Sequence, residues 1–195
     1  MIIRKSQLDL AWEDLLSGEE IKAWVTEGKR FQLPKDPGVY LWTFPAEGSG
    51  KPCAYVGEGI NLAERLAPYL NMASRIASNK RKAPDGTNFN SPEEELSFAH
   101  RENRKQSVVR IAAKIAQKCG LCRLQRRKIV EEAIALAIEF STRLLEHKAG
   151  RVLLESVTLI EMERHGYHML NRNFPNSKHG RELREKLPHL SSKRA

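Results

Sequence analysis

The sequence predicts a mixed α and β domain in which an antiparallel hairpin is flanked by helices. Two short runs rich in aromatic and β-branched residues, Gly38 to Phe44 and Cys53 to Gly57, are separated by the loop Ala46-Glu47-Gly48-Ser49-Gly50-Lys51. So short a loop favours antiparallel pairing, because parallel strands need a crossover of a dozen or more residues. An apolar stripe at helical spacing follows the second run, and another lies in a strongly basic segment downstream. A length of 195 residues suits one domain, and 41% hydrophobic residues suffice for a core.

The elements follow in order. Ser17-Gly18-Glu19-Glu20 is a capping box, and its helix runs through Ile21 and Trp24 to Gly28. Residues 1–33 therefore read as a helical N-terminal extension. Leu33-Pro34-Lys35-Asp36-Pro37 cannot continue a helix and turns the chain into the first strand. Asn61 caps a helix whose stripe is Leu62, Leu66 and Ala73. Arg65 and Tyr69, four apart, lie along one edge of that stripe, so their tips can share a site. Pro68 removes one helical bond and predicts a kink or an end there.

Residues 78–95 are polar and turn-rich, a long loop. Val108, Ile111, Ala112 and Ile115 then face one way on a helix, and Arg110, Lys114 and Lys118 the other, with Gly120 as the break. Ala133 to Phe140 alternates like a strand through Ile134, Leu136, Ile138 and Phe140, yet its alanines suit a helix equally. Thr142 can cap a helix to about His165, ended by Gly166. From Asn171 the chain is polar and basic, and residues 172–195 read as a basic C-terminal tail.

The charge has a location. The chain carries 33 Lys and Arg against 24 Asp and Glu. Residues 99–128 hold ten of those bases and the single acid Glu102, so the other residues balance at 23 and 23. A concentrated excess on a neutral scaffold predicts a polyanion-binding surface, with Arg110, Lys114, Lys118, Arg123, Arg126, Arg127 and Lys128 as its contacts. A solvated helix face is the plain alternative, but such faces usually carry both signs. No run of eighteen apolar residues predicts a membrane span. Three cysteines, and a start without the apolar stretch of a secretory signal, fit a cytoplasmic protein. Cys119-Gly120-Leu121-Cys122 has the spacing of half a zinc site and lacks a second half.

Gly38-Val39-Tyr40, Tyr55-Val56-Gly57 and Asn61-Leu62-Ala63-Glu64-Arg65 succeed one another, and the stretch from Pro37 to Leu70 resembles the core of the GIY-YIG nuclease family. The resemblance implies a strand at Ala133 to Phe140 before a glutamate-bearing helix. The sheet is then three-stranded and antiparallel, with residues 96–130 as a basic helical insertion in a single nuclease domain over residues 1–195. It also implies metal-dependent hydrolysis of DNA phosphodiester bonds with Mg²⁺ or Mn²⁺. Such cleavage needs an activated water, a cation on the non-bridging oxygens and help for the leaving oxygen.

By position, Arg65 matches the family arginine, whose guanidinium bonds phosphate oxygens in a planar fork. Tyr40 and Tyr55 match the two motif tyrosines, the first accepting a proton from the attacking water and the second positioning it. Tyr69 falls where relatives place a tyrosine or histidine. Asn171, with Asn173 as the alternative, matches a supporting asparagine. Glu58 stands where relatives commonly have lysine.

Three carboxylates compete as the metal ligand. Glu161 lies beside Arg164 and His165 and reads as a solvated pair. Glu155 is set among Val152, Leu159 and Met162, where a cation would compensate its burial. Glu155 is therefore the expected ligand, ahead of Glu161 and Glu163. The resemblance points to a stand-alone restriction or defence-type nuclease acting on DNA. A repair or mobile-element endonuclease, or a non-catalytic DNA- or RNA-binding protein on the same fold, is the alternative. A homodimer is compatible with the sequence.

Overall fold

Strand β2 (Gly38–Phe44) pairs antiparallel with β3 (Cys53–Gly59) without interruption, from Gly38↔Gly59 to Phe44↔Cys53. The computed structural model describes residues 10–78, 94, 106–129 and 145–171. Around the hairpin, the chain adds β1 (Leu10–Leu16), α1 (Gly18–Lys22), which continues as a π-helical turn over Ala23–Glu27, and α2 (Leu62–Ala77). Then come α3 (Gln106–Gln117), β4 (Arg123–Ile129), α4 (Lys148–Arg164) and the two-residue β5 (His168–Met169). Among the described residues the sheet has five strands, in the order β1-β4-β2-β3-β5, in place of the three expected. Its pairs are antiparallel except β3 with β5, which run parallel.

Two further expectations are corrected here. The N-terminal extension is not wholly helical, because β1 precedes the capping box. Leu10–Leu16 is composed of good helix formers, and pairing with β4 overrides that local preference. The basic segment is not a helical insertion either. After α3 it becomes β4, which lies between β1 and β2 inside the sheet. The strand expected at Ala133 to Phe140, the cap at Thr142, most of the loop at 78–95, Asn173 and the tail 172–195 lie outside the described residues.

Local signals elsewhere act as their chemistry dictates. The Ser17 box closes in both directions: Glu20 N–H donates to Ser17 Oγ at 3.2 Å, and Ser17 N–H donates to Glu20 Oε2 at 2.8 Å. Asn61 Oδ1 accepts the Glu64 N–H at 3.3 Å and starts α2. Pro68 does not end that helix, which continues to Ala77 with the ring on its exposed side. A single missing backbone bond is outweighed by Leu62, Leu66, Tyr69, Leu70 and Ala73, all fully buried. Each large apolar side chain so buried contributes about 1.5–3 kcal/mol.

The sheet separates two apolar clusters. On one face Tyr40, Trp42, Phe44, Tyr55 and Leu124 pack with α2 and with Ile111 and Ile115 of α3. On the other, Val39, Leu41, Ala54 and Val56 pack with Leu154, Leu159 and Met162 of α4. Helix α4 is fastened by β4: the buried Arg127 pairs with Glu161, donates to Thr158 Oγ1 at 3.3 Å, and lies 4.1 Å from the centre of the Trp12 ring. Glu161 is thus an internal partner, not the solvated one its neighbours suggested.

The outer edge of β3 is finished by the last described residues. Leu170 N–H donates to Ala54 O at 2.7 Å. Asn171 then uses its side chain as a strand would use its backbone: Nδ2 donates to Val56 O at 2.7 Å, and Oδ1 accepts from Val56 N at 3.0 Å. It belongs to the folded domain and is not the start of an irregular tail. Replacing Asn171 by Ala removes both bonds and is expected to cost about 1–3 kcal/mol, read from the urea midpoint at constant denaturant slope.

Candidate active site

Tyr40 lies directly opposite Gly57 in the hairpin register. A Cβ added to Gly57 would fall 2.4 Å from both Cζ and the hydroxyl of Tyr40. Only glycine leaves room for that ring, which is the physical reason the second tripeptide ends as it does. Tyr55 projects from the same face of β3, and Tyr69 comes down from α2. The three rings form a triangle with centroids 6.1–6.3 Å apart. The Tyr69 hydroxyl is its hub, 3.1 Å from that of Tyr40 and 3.3 Å from that of Tyr55.

Arg65 stands one helical turn before Tyr69 and lies against Gly59, whose position its Cβ approaches closely. Burial works against its charge, but Tyr40, Tyr69 and Tyr55 together hold its pKa above the ordinary arginine value. Its Nε is buried with no hydrogen-bond partner among the described residues. The guanidinium is therefore a permanent cation with a donor still to satisfy. Tyr40 does not move toward the proton-accepting form that the family resemblance implies. Burial pushes Tyr40 well above its usual value, Tyr69 and Tyr55 add to the push, and Arg65 only opposes it. Tyr40 is neutral at physiological pH, so a phenolate base is not populated in this arrangement.

Glu155 is carried by α4, on the opposite face of the sheet from α2. The Arg65 charge nevertheless reaches it. Burial and the neighbouring Glu58 raise its carboxyl to about 7, while Arg65 draws it down. Glu58 and Arg151 are the members that the sequence reading did not assign. Arg151 Nε donates to Glu58 Oε2 at 2.7 Å, and its Nη1 donates to Leu145 O and Glu146 O, both at 2.8 Å. This buried arginine lies one turn before Glu155 and ties α4 to the end of β3. The charge at Glu58, immediately after a glycine-rich tripeptide, was the available signal for that residue; Arg151 had none.

The site offers a guanidinium able to bind phosphate oxygens, three linked hydroxyls and a carboxylate of raised proton affinity. Glu155 could hold a divalent cation, since a cation would relieve both its burial and the repulsion from Glu58. Among the described residues, no group of three or more His, Cys, Asp or Glu is arranged to hold a metal. Cys119 and Cys122 are free thiols, and burial pushes Cys122 up to about 12, far from a metal-ready thiolate.

The basic residues divide by position. Arg127 is buried beneath α4 and presents no surface to a polyanion. Arg126 donates to Glu13 at 2.6 Å and lies 3.6 Å from Asp36. Arg110 donates to Leu170 O. Arg123 remains at the surface, 4.0 Å from Asp14, and Lys114 and Lys118 flank Glu47 at 4.0 and 3.4 Å. The common face expected of Arg110, Lys114 and Lys118 is thus divided between an internal bond and a surface cluster. The backbone of Lys128 belongs to β4.

No family model, curated protein or solved structure matches the chain. No helix among the described residues is long and apolar enough to cross a membrane.

The raised carboxyl of Glu155 has a definite sign. Its folded pKa lies above the unfolded value, so its contribution favours the fold below about 4.5 and is lost as pH rises through about 7. Metal-free Glu155→Gln should therefore gain stability over the parent at pH 8, on the order of 1–3 kcal/mol. The gain should vanish near pH 4.5. Urea melts of both proteins at the two pH values check it.

Proposed function

We propose that the chain is a metal-dependent endonuclease of the GIY-YIG type that hydrolyses DNA phosphodiester bonds. The observation that supports this most is the linked trio of hydroxyls, Tyr69 lying 3.1 Å from Tyr40 and 3.3 Å from Tyr55. One helical turn from Tyr69 is Arg65, whose buried Nε has no partner among the described residues and whose charge also lowers the raised pKa of Glu155, ninety residues further along the chain. Four elements, β2, β3, α2 and α4, contribute to that convergence. It joins the cationic, hydroxyl and carboxylate groups that phosphodiester hydrolysis requires.

In this reading Arg65 binds a non-bridging phosphate oxygen, and its buried Nε finds its acceptor there. Glu155 holds Mg²⁺ or Mn²⁺, and Arg151 fixes Glu58 beside it. When bound, that ion supplies charge for the phosphate and for the departing oxygen. The neutral Tyr40 hydroxyl orients the attacking water through hydrogen bonds, and Tyr69 links it to Tyr55. Asn171 supports the arrangement by holding β3 at Val56, one residue before Gly57. A stand-alone restriction or defence enzyme of the cytoplasm is the setting we favour, with a repair or mobile-element enzyme second.

One observation favours a different reading. Tyr40 and Tyr69 have no exposed surface, as a purely structural trio would. The protein would then be a DNA- or RNA-binding scaffold without catalysis.

Mutants separate the two. Glu155→Ala should abolish Mg²⁺-dependent cleavage of duplex DNA while binding stays intact or tightens. Arg65→Ala should also stop cleavage and weaken binding slightly. Tyr40→Phe should lower the rate by roughly 10²-fold or more while the circular dichroism spectrum is kept. A folded Glu155→Ala protein that cuts at the parental rate removes this reading of the site. A wild-type protein that binds duplex but never cuts favours the scaffold.

A further inference from the structure

Away from the tyrosines, at the loop end of the β2–β3 hairpin, lies a cavity of about 370 Å³ lined by Pro45, Glu47, Gly50, Lys51, Cys53, Lys114 and His168. Three separate parts of the chain meet there: the hairpin loop, α3 and β5. Its charge is unbalanced. Among the described residues Glu47 is the one carboxylate in the lining, and it is shared by Lys118 at 3.4 Å and Lys114 at 4.0 Å. Lys51 adds a third ammonium group. The Glu47 carboxylate is half exposed, on a loop held by the Gly50 N–H to Glu47 O bond of 2.9 Å. Such a carboxylate can leave its lysines at little cost, because surface ion pairs contribute only about 0–1 kcal/mol.

The position matters as much as the charge. His168 lies beside Cys53 where β5 pairs with β3. From there the outer edge of β3 runs past Leu170 and Asn171 to Gly57, under the Tyr40 ring, and Gly59, against which Arg65 lies. Cys53 to Gly57 is four residues of strand, roughly 14 Å, the axial rise of about four nucleotides in duplex DNA. The cavity and the candidate active site are thus two stations along one edge of the sheet.

We infer that this cavity is a phosphate-binding subsite for the backbone of a DNA substrate, a few nucleotides from the scissile bond. Lys51 and Lys114 supply the charge, and His168 an N–H donor on the rim. Glu47 is an internal anion that the phosphate displaces. The inference rests on the nuclease reading for the identity of the polyanion, but not for the existence of the site.

The test measures binding of a labelled DNA duplex by fluorescence anisotropy across a series of KCl concentrations, without divalent metal. The Lys51→Gln/Lys114→Gln protein should lose roughly tenfold in affinity at low salt, and its log–log salt slope should shrink by about 2. Glu47→Gln, which frees the lysines without removing them, should tighten binding several-fold. Circular dichroism verifies that both variants are folded. An unchanged slope in the double variant, or no tightening in Glu47→Gln, overturns the subsite. Cleavage by the wild type with Mg²⁺ is assayed in parallel. A protein that shows both binding changes but never cuts keeps the subsite and loses the nuclease reading. One that cuts with an unchanged slope loses only the subsite.

Discussion

A strand reading Arg-Leu-Gln-Arg-Arg-Lys-Ile can sit inside a sheet only if its charges are met there by acids and rings. β4 satisfies that condition through neighbours on both sides. Arg126 faces Glu13 of β1, across the strand pair, and Asp36 of the loop before β2. Arg127, on the other face, is enclosed by Trp12, Thr158 and Glu161. Removing one partner of such a buried pair typically costs 3–5 kcal/mol, because the remaining charge is stranded. The consequence reaches the candidate site. Arg127 anchors α4 from beneath at Glu161, and Arg151 anchors it at Glu58, so Glu155 is carried on a helix fastened on both sides of its position.

The same interactions explain what the sequence did and did not reveal. Local signals were legible: the Ser17 box, the Asn61 cap, the stripe of α2 and the hairpin are each encoded by residues a few positions apart. The tyrosine trio and Arg65 were legible for the same reason, since they fall within thirty residues on elements whose registers follow from spacing. β1 and β4 were not. They pair with each other across more than a hundred residues, β4 pairs with β2 across eighty or more, and a strand that neutralises its arginines by tertiary pairing has no apolar alternation to display. Glu161 misled for a related reason: its nearest charges in sequence were Arg164 and His165, but its partner in space is Arg127. Glu58 and Arg151 depend on a contact across ninety-three residues and could not be paired in advance.

At the candidate site, burial shapes each group differently. Arg65 remains charged as guanidinium groups do, burial holds Tyr40 in its neutral form, and burial with Glu58 raises Glu155 to about 7. A carboxylate so placed holds its proton more tightly than usual. In the nuclease proposed above, a divalent cation would compete with that proton, so pH and metal would be linked.

Asn171 has a role beyond the bonds it makes. A sheet edge with free N–H and C=O groups is a template for another chain, and among the described residues β5 pairs with β3 only at Cys53 and Ala54. By taking both the donor and the acceptor of Val56, the Asn171 amide ends the ladder with a side chain in place of a sixth strand. The edge is closed there without being lengthened. Self-association through this part of β3 is discouraged, and among the described residues no strand pairs with the outer edge of β3 beyond Val56.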